Sequence, residues 1–193
     1  MLKAILIDCI PPSLNKKEAE FRLQEAESLI KTYGGVVLIK IIQKKLIPHY
    51  STYIGSGKIE EIIAENKTLQ ANIVIINNEL KPQQTYNLGE NFRKHHLQVW
   101  DRIDLILKIF QKHATTNEAK LEIELASIKH MGPRIYGMGM QLTRQGGGIG
   151  TKGAGETNLE SMRRHLDKAE HRIKQELETY KKVRTHHHSG RKS

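Results

Sequence analysis

The stretch Leu2-Lys3-Ala4-Ile5-Leu6-Ile7-Asp8-Cys9-Ile10 decides the fold. It is an almost unbroken apolar run. A strand with one wet face would alternate, so this run reads as a strand covered on both faces. Pro11-Pro12-Ser13 ends it. Working outward, Phe21, Leu23, Ala26, Leu29 and Ile30 fall mostly at helical spacing, so residues 14–32 read as a helix closed by Gly34-Gly35. Val36–Ile42 is a second buried strand. A polar, irregular stretch with Pro48 and Gly55-Ser56-Gly57 follows, then a helix from Lys58 to about Asn66 with Ile59, Ile62 and Ile63 facing inward. Ile73–Ile76 is a third strand. Pro82 suits the first turn of a helix over 82–93, and Leu97–Trp100 is a fourth strand. The alternation predicts an α/β fold over residues 1–102: a small, mostly parallel sheet with flanking helices.

The pattern changes after Asp101. Residues 103 to about 131 contain no Gly and no Pro, and Ile103, Ile106, Ile109, Phe110 and His113 lie along one face. Leu121, Leu125 and Ile128 continue that line past a polar step at Thr115–Asn117. This predicts one helix roughly 40 Å long. Residues 132–155 are rich in helix breakers. A second helix is expected from Glu156, with Thr157-Asn158-Leu159-Glu160 as a capping box. Leu159, Met162, Leu166, Ala169 and Ile173 then form the a/d seam of a short coiled coil. Together these predict a two-helix antiparallel coiled-coil hairpin over 103–185, with a Gly-rich tip loop at 144–155. Residues 186–193 read as a flexible basic linker.

The 193 residues carry a net charge of +10, and the pI is near 9.6. Such an excess favours a polyanionic partner, because Lys and Arg displace counterions from phosphates. The charge is uneven. Residues 132–193 hold 13 basic and 6 acidic side chains, a net of +7, against +3 for residues 1–102. The single cysteine, Cys9, sits in the first apolar run and reads as a small buried hydrophobe, so no intrachain disulfide exists. No signal peptide and no apolar run near the roughly 20 residues of a membrane span is present, so a cytoplasmic protein is expected.

The loop reads Arg144-Gln145-Gly146-Gly147-Gly148-Ile149-Gly150-Thr151-Lys152-Gly153-Ala154-Gly155, and six of its twelve residues are glycine. Glycine lets a backbone approach a ligand closely. Ordering such a segment costs on the order of 1–2 kcal/mol per residue, so it is either a disordered linker or a segment ordered by a ligand. Gly148 to Gly153 matches G-x-G-x-x-G, but no strand precedes it, which removes the dinucleotide-binding reading. Gly57-Lys58 is not a nucleotide P-loop, because Thr52 and Ile59 stand where glycine and a hydroxyl are needed. It reads as a turn and helix start. A helix N-terminus near Thr157, beside Lys152 and Arg144, fits a phosphate-rich ligand. Arg163 and Arg164 extend that basic surface or simply solvate the outer face of the helix. His95-His96 lacks ligands at metal-site spacing. Asp101 and Asp104 read as caps of the long helix. No catalytic pair and no metal site is readable.

Five segments carry a family resemblance: Gly55–Glu61, Asn77–Gln84, Trp100–Leu107, Lys120–Ala126 and, most specific, Thr143–Glu160. Here the chain resembles, from about Leu2 to Arg184, the N-terminal region of HflX, a family of ribosome-associated GTPases. The resemblance implies an α/β subdomain, a two-helix subdomain and then a GTP-binding domain. It implies docking on the large ribosomal subunit, with the loop reaching ribosomal RNA, in a protein that splits or rescues stalled ribosomes under stress. Carried over, Arg144, Gln145, Gly146, Gly147, Gly148, Gly150, Lys152 and Gly153 would contact RNA. GTP and Mg2+ would belong to a GTPase domain expected beyond Ser193. This chain alone would be neither an enzyme nor a cofactor binder, and the whole protein a GTP hydrolase. A second reading makes the region a regulatory partner that restrains its own GTPase domain.

Overall fold

The computed structural model describes the backbone of residues 1–145 and 154–189 and the side chains of residues 1–135 and 160–184. The chain divides into two compact units, Met1–Lys112 and His113–Ser193.

In the first unit the apolar run becomes β1 (Leu2–Ile10), one of the two inner strands of a four-stranded sheet. The other strands are β2 (Gly35–Lys44), β3 (Ile73–Ile76) and β4 (Gln98–Asp101). All pairings are parallel, in the order β2-β1-β3-β4. The connecting helices are α1 (Lys16–Tyr33), α2 (Ser56–Leu69) and α3 (Pro82–Arg93), and α4 (Arg102–His113) follows β4. One core layer joins Ile5, Ile7 and Val74 of the sheet to Ile59 and Ile62 of α2 and Leu88 and Phe92 of α3. The other joins Ala4, Leu6, Ile73 and Ile75 to Leu23, Ala26 and Ile30 of α1 and Leu105 of α4. Two covered faces explain why β1 and β3 show no polar alternation. Parallel strands joined by right-handed crossovers require this placement of helices.

Two local features set the geometry. Gly34 caps α1 at φ +102, a left-handed conformation that glycine adopts without strain, and its N–H reaches the carbonyls of Ile30 and Lys31. In β2 the register shifts between Ala4 and Ile5, where Leu38 is the extra residue. Consequently Val37 packs in the α1 layer while Ile39 and Ile41 join the opposite layer.

The second unit is a helical hairpin of α5 (Asn117–Gln145) and α6 (Ala154–Ser189). Several expectations change here. The single helix over 103–131 is two helices. Thr116 interrupts it and caps α5, its hydroxyl accepting from the Ala119 N–H at 3.2 Å. The unit boundary lies at the end of α4 rather than at 102/103, because Leu105 and Ile109 pack into the sheet core. Helix α5 does not stop at Gly132-Pro133 but continues to Gln145 with Pro133 inside it. Pro133 removes one ladder hydrogen bond, and pairing with α6 supports the helix beyond its intrinsic propensity. Helix α6 starts at Ala154, so Thr157 lies within it and is not its cap. It runs to Ser189, so the backbone of His186–His188 is helical rather than part of a linker.

Candidate nucleic-acid interface

Two ion pairs establish the direction of the hairpin. Glu118, at the start of α5, pairs with Arg184, late in α6. Glu124 lies 3.8 Å from Arg172. The helices are therefore antiparallel, and the C-terminal end of α5 shares an end of the hairpin with the N-terminal end of α6. Among the described residues of the α6 seam, Ile173 is fully buried, with Leu166, Ala169 and Leu177 half-buried beside it.

Arg144 and Gln145 fall in the last turn of α5. Their side chains, and all of Gly146, Gly147, Gly148, Gly150, Lys152 and Gly153, lie outside the described residues. Arg163 and Arg164 are exposed on α6, as expected. Each already has an acidic neighbour one turn away: Arg163 pairs with Asp167 at 3.7 Å and Arg164 with Glu160 at 2.5 Å. Lys174 and Glu170 pair likewise at 2.7 Å, and that hydrogen bond holds the Glu170 carboxyl below its ordinary range. Exposed pairs of this kind contribute little stability, so a phosphate can displace the acid. They do reduce the positive field that the sequence count implies.

The carboxyl edge of the sheet holds a polar cluster that sequence reading missed. Asp8 is fully buried. Its Oδ2 accepts from Arg22 Nε at 3.0 Å and from Asn77 Nδ2 at 2.9 Å, and its Oδ1 accepts from Arg22 Nη2 at 3.2 Å. Arg102 Nη1 donates to Asn77 Oδ1 at 2.8 Å, and its Nη2 to Glu25 at 2.5 Å. The Arg22 guanidinium is held further towards its charged form by its hydrogen bond to Asp8. Beside this cluster the Cys9 N–H donates to Tyr53 Oη at 3.3 Å, and burial pushes the Tyr53 phenol up to about 12. Burial likewise raises the Cys9 thiol, in keeping with its reading as a core residue. The one legible signal for the cluster was an acid, Asp8, inside an apolar strand. Chains change direction at this edge, since β1 leads to β2 on one side and β3 to β4 on the other.

Asp101 and Asp104 cap α4 as expected. The Asp104 N–H donates to Asp101 Oδ1 at 2.8 Å, and the Asp101 N–H to Asp104 Oδ2 at 3.0 Å. Gly55 is the N-cap of α2, and Lys58 in its first turn pairs with Glu61 at 2.5 Å. Among the described residues, no helix is long and apolar enough to cross a membrane.

Comparisons with known proteins give this architecture a class. Residues 20–111 match a family model described as GTP-binding GTPase N-terminal, and residues 113–191 match one described as GTP-binding GTPase Middle Region. The GTPase HflX of Alkalihalophilus pseudofirmus is 40% identical over 190 residues, which are 97% of this chain and 44% of that protein. The GTPase HflX of Escherichia coli is 40% identical over 162 residues, 84% of this chain and 37% of that protein. A crystal structure of a GTP-binding protein from Sulfolobus solfataricus in complex with GDP superposes with a TM-score of 0.66 at 26% identity, covering 95% of this chain and 47% of that one. The chain belongs to the HflX GTPase family and corresponds to its N-terminal and middle regions. It spans less than half the length of these relatives.

Proposed function

We propose that this region binds ribosomal RNA of the large ribosomal subunit through the segment between α5 and α6, as part of a GTPase that splits or rescues stalled ribosomes. The observation that carries the reading is the position of the glycine-rich basic segment. Antiparallel α5 and α6 bring their ends together on either side of it, and residues 132–193 have a net charge of +7. The first-turn N–H groups of a long helix add a positive dipole end there. The residues proposed to touch RNA are Arg144, Gln145, Gly146, Gly147, Gly148, Gly150, Lys152 and Gly153. Arg163 and Arg164 support them from α6. In this reading GTP and Mg2+ are bound outside the present chain, and the cell compartment is the cytoplasm, where ribosomes are.

Co-sedimentation of the chain with purified large subunits across a salt series tests the reading. Binding should weaken linearly in log–log form with salt. The double substitution Arg144→Ala/Lys152→Ala should weaken it and flatten the slope. Undiminished binding by that variant would remove the role of the loop.

A further inference from the structure

The loop between β2 and α2 carries a surface feature that the reading above does not use. Leu46, Ile47 and Tyr50 are 76%, 72% and 72% exposed. They nevertheless stand on an ordered frame. The His49 and Tyr53 backbones bond each other reciprocally at 2.9 Å. Gln84 Nε2 of α3 donates to the His49 carbonyl at 2.9 Å, and Asn87 Nδ2 donates to the Ser51 carbonyl at 2.8 Å. Thr52 Oγ1 donates to the Ile54 carbonyl at 2.7 Å. Tyr53 and Ile54 anchor the loop in the core. Three large apolar side chains are thus held out in water by a fixed backbone. A surface held in place this way loses little entropy when it binds.

Along the chain, the charge on either side of them has one sign. From Ser28 to Ile59 the chain contains five lysines and no acidic residue. Lys31 and Lys40 pair with Glu27, and Lys58 pairs with Glu61. Lys44 and Lys45, which open the loop, and Lys81 make no ion pair among the described residues. The Lys81 ammonium stands 5.9 Å from the centre of the Tyr50 ring. This differs from α6, where arginine after arginine has an acidic neighbour.

We propose that the Lys44–Tyr50 loop is a second RNA-binding site, on which an unstacked base lies against Tyr50, Leu46 and Ile47 while Lys44, Lys45 and Lys81 hold the adjoining phosphates. The proposal rests on the reading of this region as RNA-binding and adds a contact in the sheet unit. A base offers an apolar face with anionic groups a few ångströms away, and an aromatic ring with one lysine beside it and two more at the start of the same loop complements both. An acid-free stretch of this length suits a polyanion better than an ordinary protein surface, which carries charges of both signs. A second copy of this chain is disfavoured, because the same lysines would then face each other.

The test uses the full chain with two probes: a fluorescently labelled, unstructured single-stranded RNA, read by anisotropy across a salt series, and purified large ribosomal subunits, read by sedimentation. Tyr50→Ala should weaken RNA binding roughly 5- to 150-fold, and Tyr50→Phe, which keeps the ring, should bind like the parent. Lys44→Gln/Lys45→Gln should lower the log–log salt slope by about 1.4. All these side chains are exposed, and unchanged circular dichroism verifies that the variants fold. Parent-like binding of both probes by Tyr50→Ala and by the lysine variant overturns the proposal. Weakened subunit binding with unchanged RNA binding also overturns it, because the loop would then seat a protein. The Arg144→Ala/Lys152→Ala variant separates the two readings. If it keeps full subunit binding while Tyr50→Ala loses it, the tip-loop reading fails and this one stands.

Discussion

Breaking the buried carboxylate cluster from its two sides should have unequal consequences. Asp8 is fully buried, whereas the Arg22 side chain is 43% exposed. In Arg22→Ala the Asp8 carboxylate keeps one side-chain donor, Asn77 Nδ2. Removing one partner of a buried pair in this way costs about 3–5 kcal/mol, because the surviving charge is uncompensated. In Asp8→Ala the surviving guanidinium is already half in water and turns outward. What is lost is the good partner of Asn77 Nδ2, which is left with the Arg22 carbonyl at 3.4 Å. One buried donor poorly satisfied costs about 1–3 kcal/mol. The more exposed residue is therefore the more damaging one to remove. The double variant should be more stable than Arg22→Ala alone, since the stranded charge is gone. Urea unfolding followed by the fluorescence of Trp100, the single tryptophan and a β4 residue of the same unit, gives all three values. Equal costs for the two single variants, or additive costs in the double, would refute the assignment of the penalty to a stranded Asp8 charge.

Two further outcomes follow from particular residues. The Tyr53 phenol titrates near 10 when unfolded and at about 12 in the fold, so the folded state keeps a proton that the unfolded state releases. That contribution is complete below pH 10 and is lost as pH rises through 12, amounting to about 3 kcal/mol. Tyr53→Phe, which loses the bond from the Cys9 N–H and the side-chain bond with Asn78, should be less stable than the parent at neutral pH by about 1–3 kcal/mol. The gap should narrow above pH 10 and close or reverse towards pH 12 in parallel denaturant titrations, because the loss falls on the parent alone; a gap that stays constant refutes the shift. Pro133 stands inside α5 and deprives the Lys129 carbonyl of its donor. Pro133→Ala should raise the stability of the hairpin by about 1–3 kcal/mol, read as a higher melting temperature at 222 nm. A lower one would mean that the proline is needed for the path of the helix.

The sheet unit was legible because its signals are local and of one kind. Ile73–Ile76 and 82–93 are found where the apolar run and Pro82 place them, and the left-handed cap falls on the expected Gly34. Other ends moved by one to three residues, as where α2 begins at Ser56 rather than Lys58. The hairpin was legible as a topology but not in its boundaries. Gly132 and Pro133 weaken a helix locally, yet pairing with α6 outweighs them. Thr115 and Thr116 look harmless in a helical pattern until the Thr116 hydroxyl caps a new helix. The Asp8 cluster was hidden for a different reason. Asp8, Arg22, Asn77 and Arg102 come from separate elements, and no spacing in the chain indicates that they meet. The Lys44–Tyr50 loop looked merely irregular, because the donors that order it, Gln84 and Asn87, lie more than thirty residues away.

Net charge by segment also proves a poor guide to where a polyanion is attracted. The count assigns +7 to residues 132–193 and only +3 to residues 1–102. Pairing reverses part of that ranking. On α6, Arg163, Arg164, Arg172, Lys174 and Arg184 each face a carboxylate, so their fields are largely dipolar and fall off quickly. In the sheet unit many acids are consumed internally: Asp8 by Arg22, Glu25 by Arg102, and Glu27 by Lys31 and Lys40. Lys44, Lys45 and Lys81 are left uncompensated on one loop and its neighbour. A phosphate approaching Arg164 must first displace Glu160, whereas one approaching Lys45 displaces only counterions. At equal distance the second event has the larger net gain and the steeper salt dependence. For the RNA recognition proposed above this would give two contacts of different character: the glycine-rich segment between α5 and α6, dependent on close backbone approach, and the lysine-bearing aromatic loop, dependent on charge and stacking.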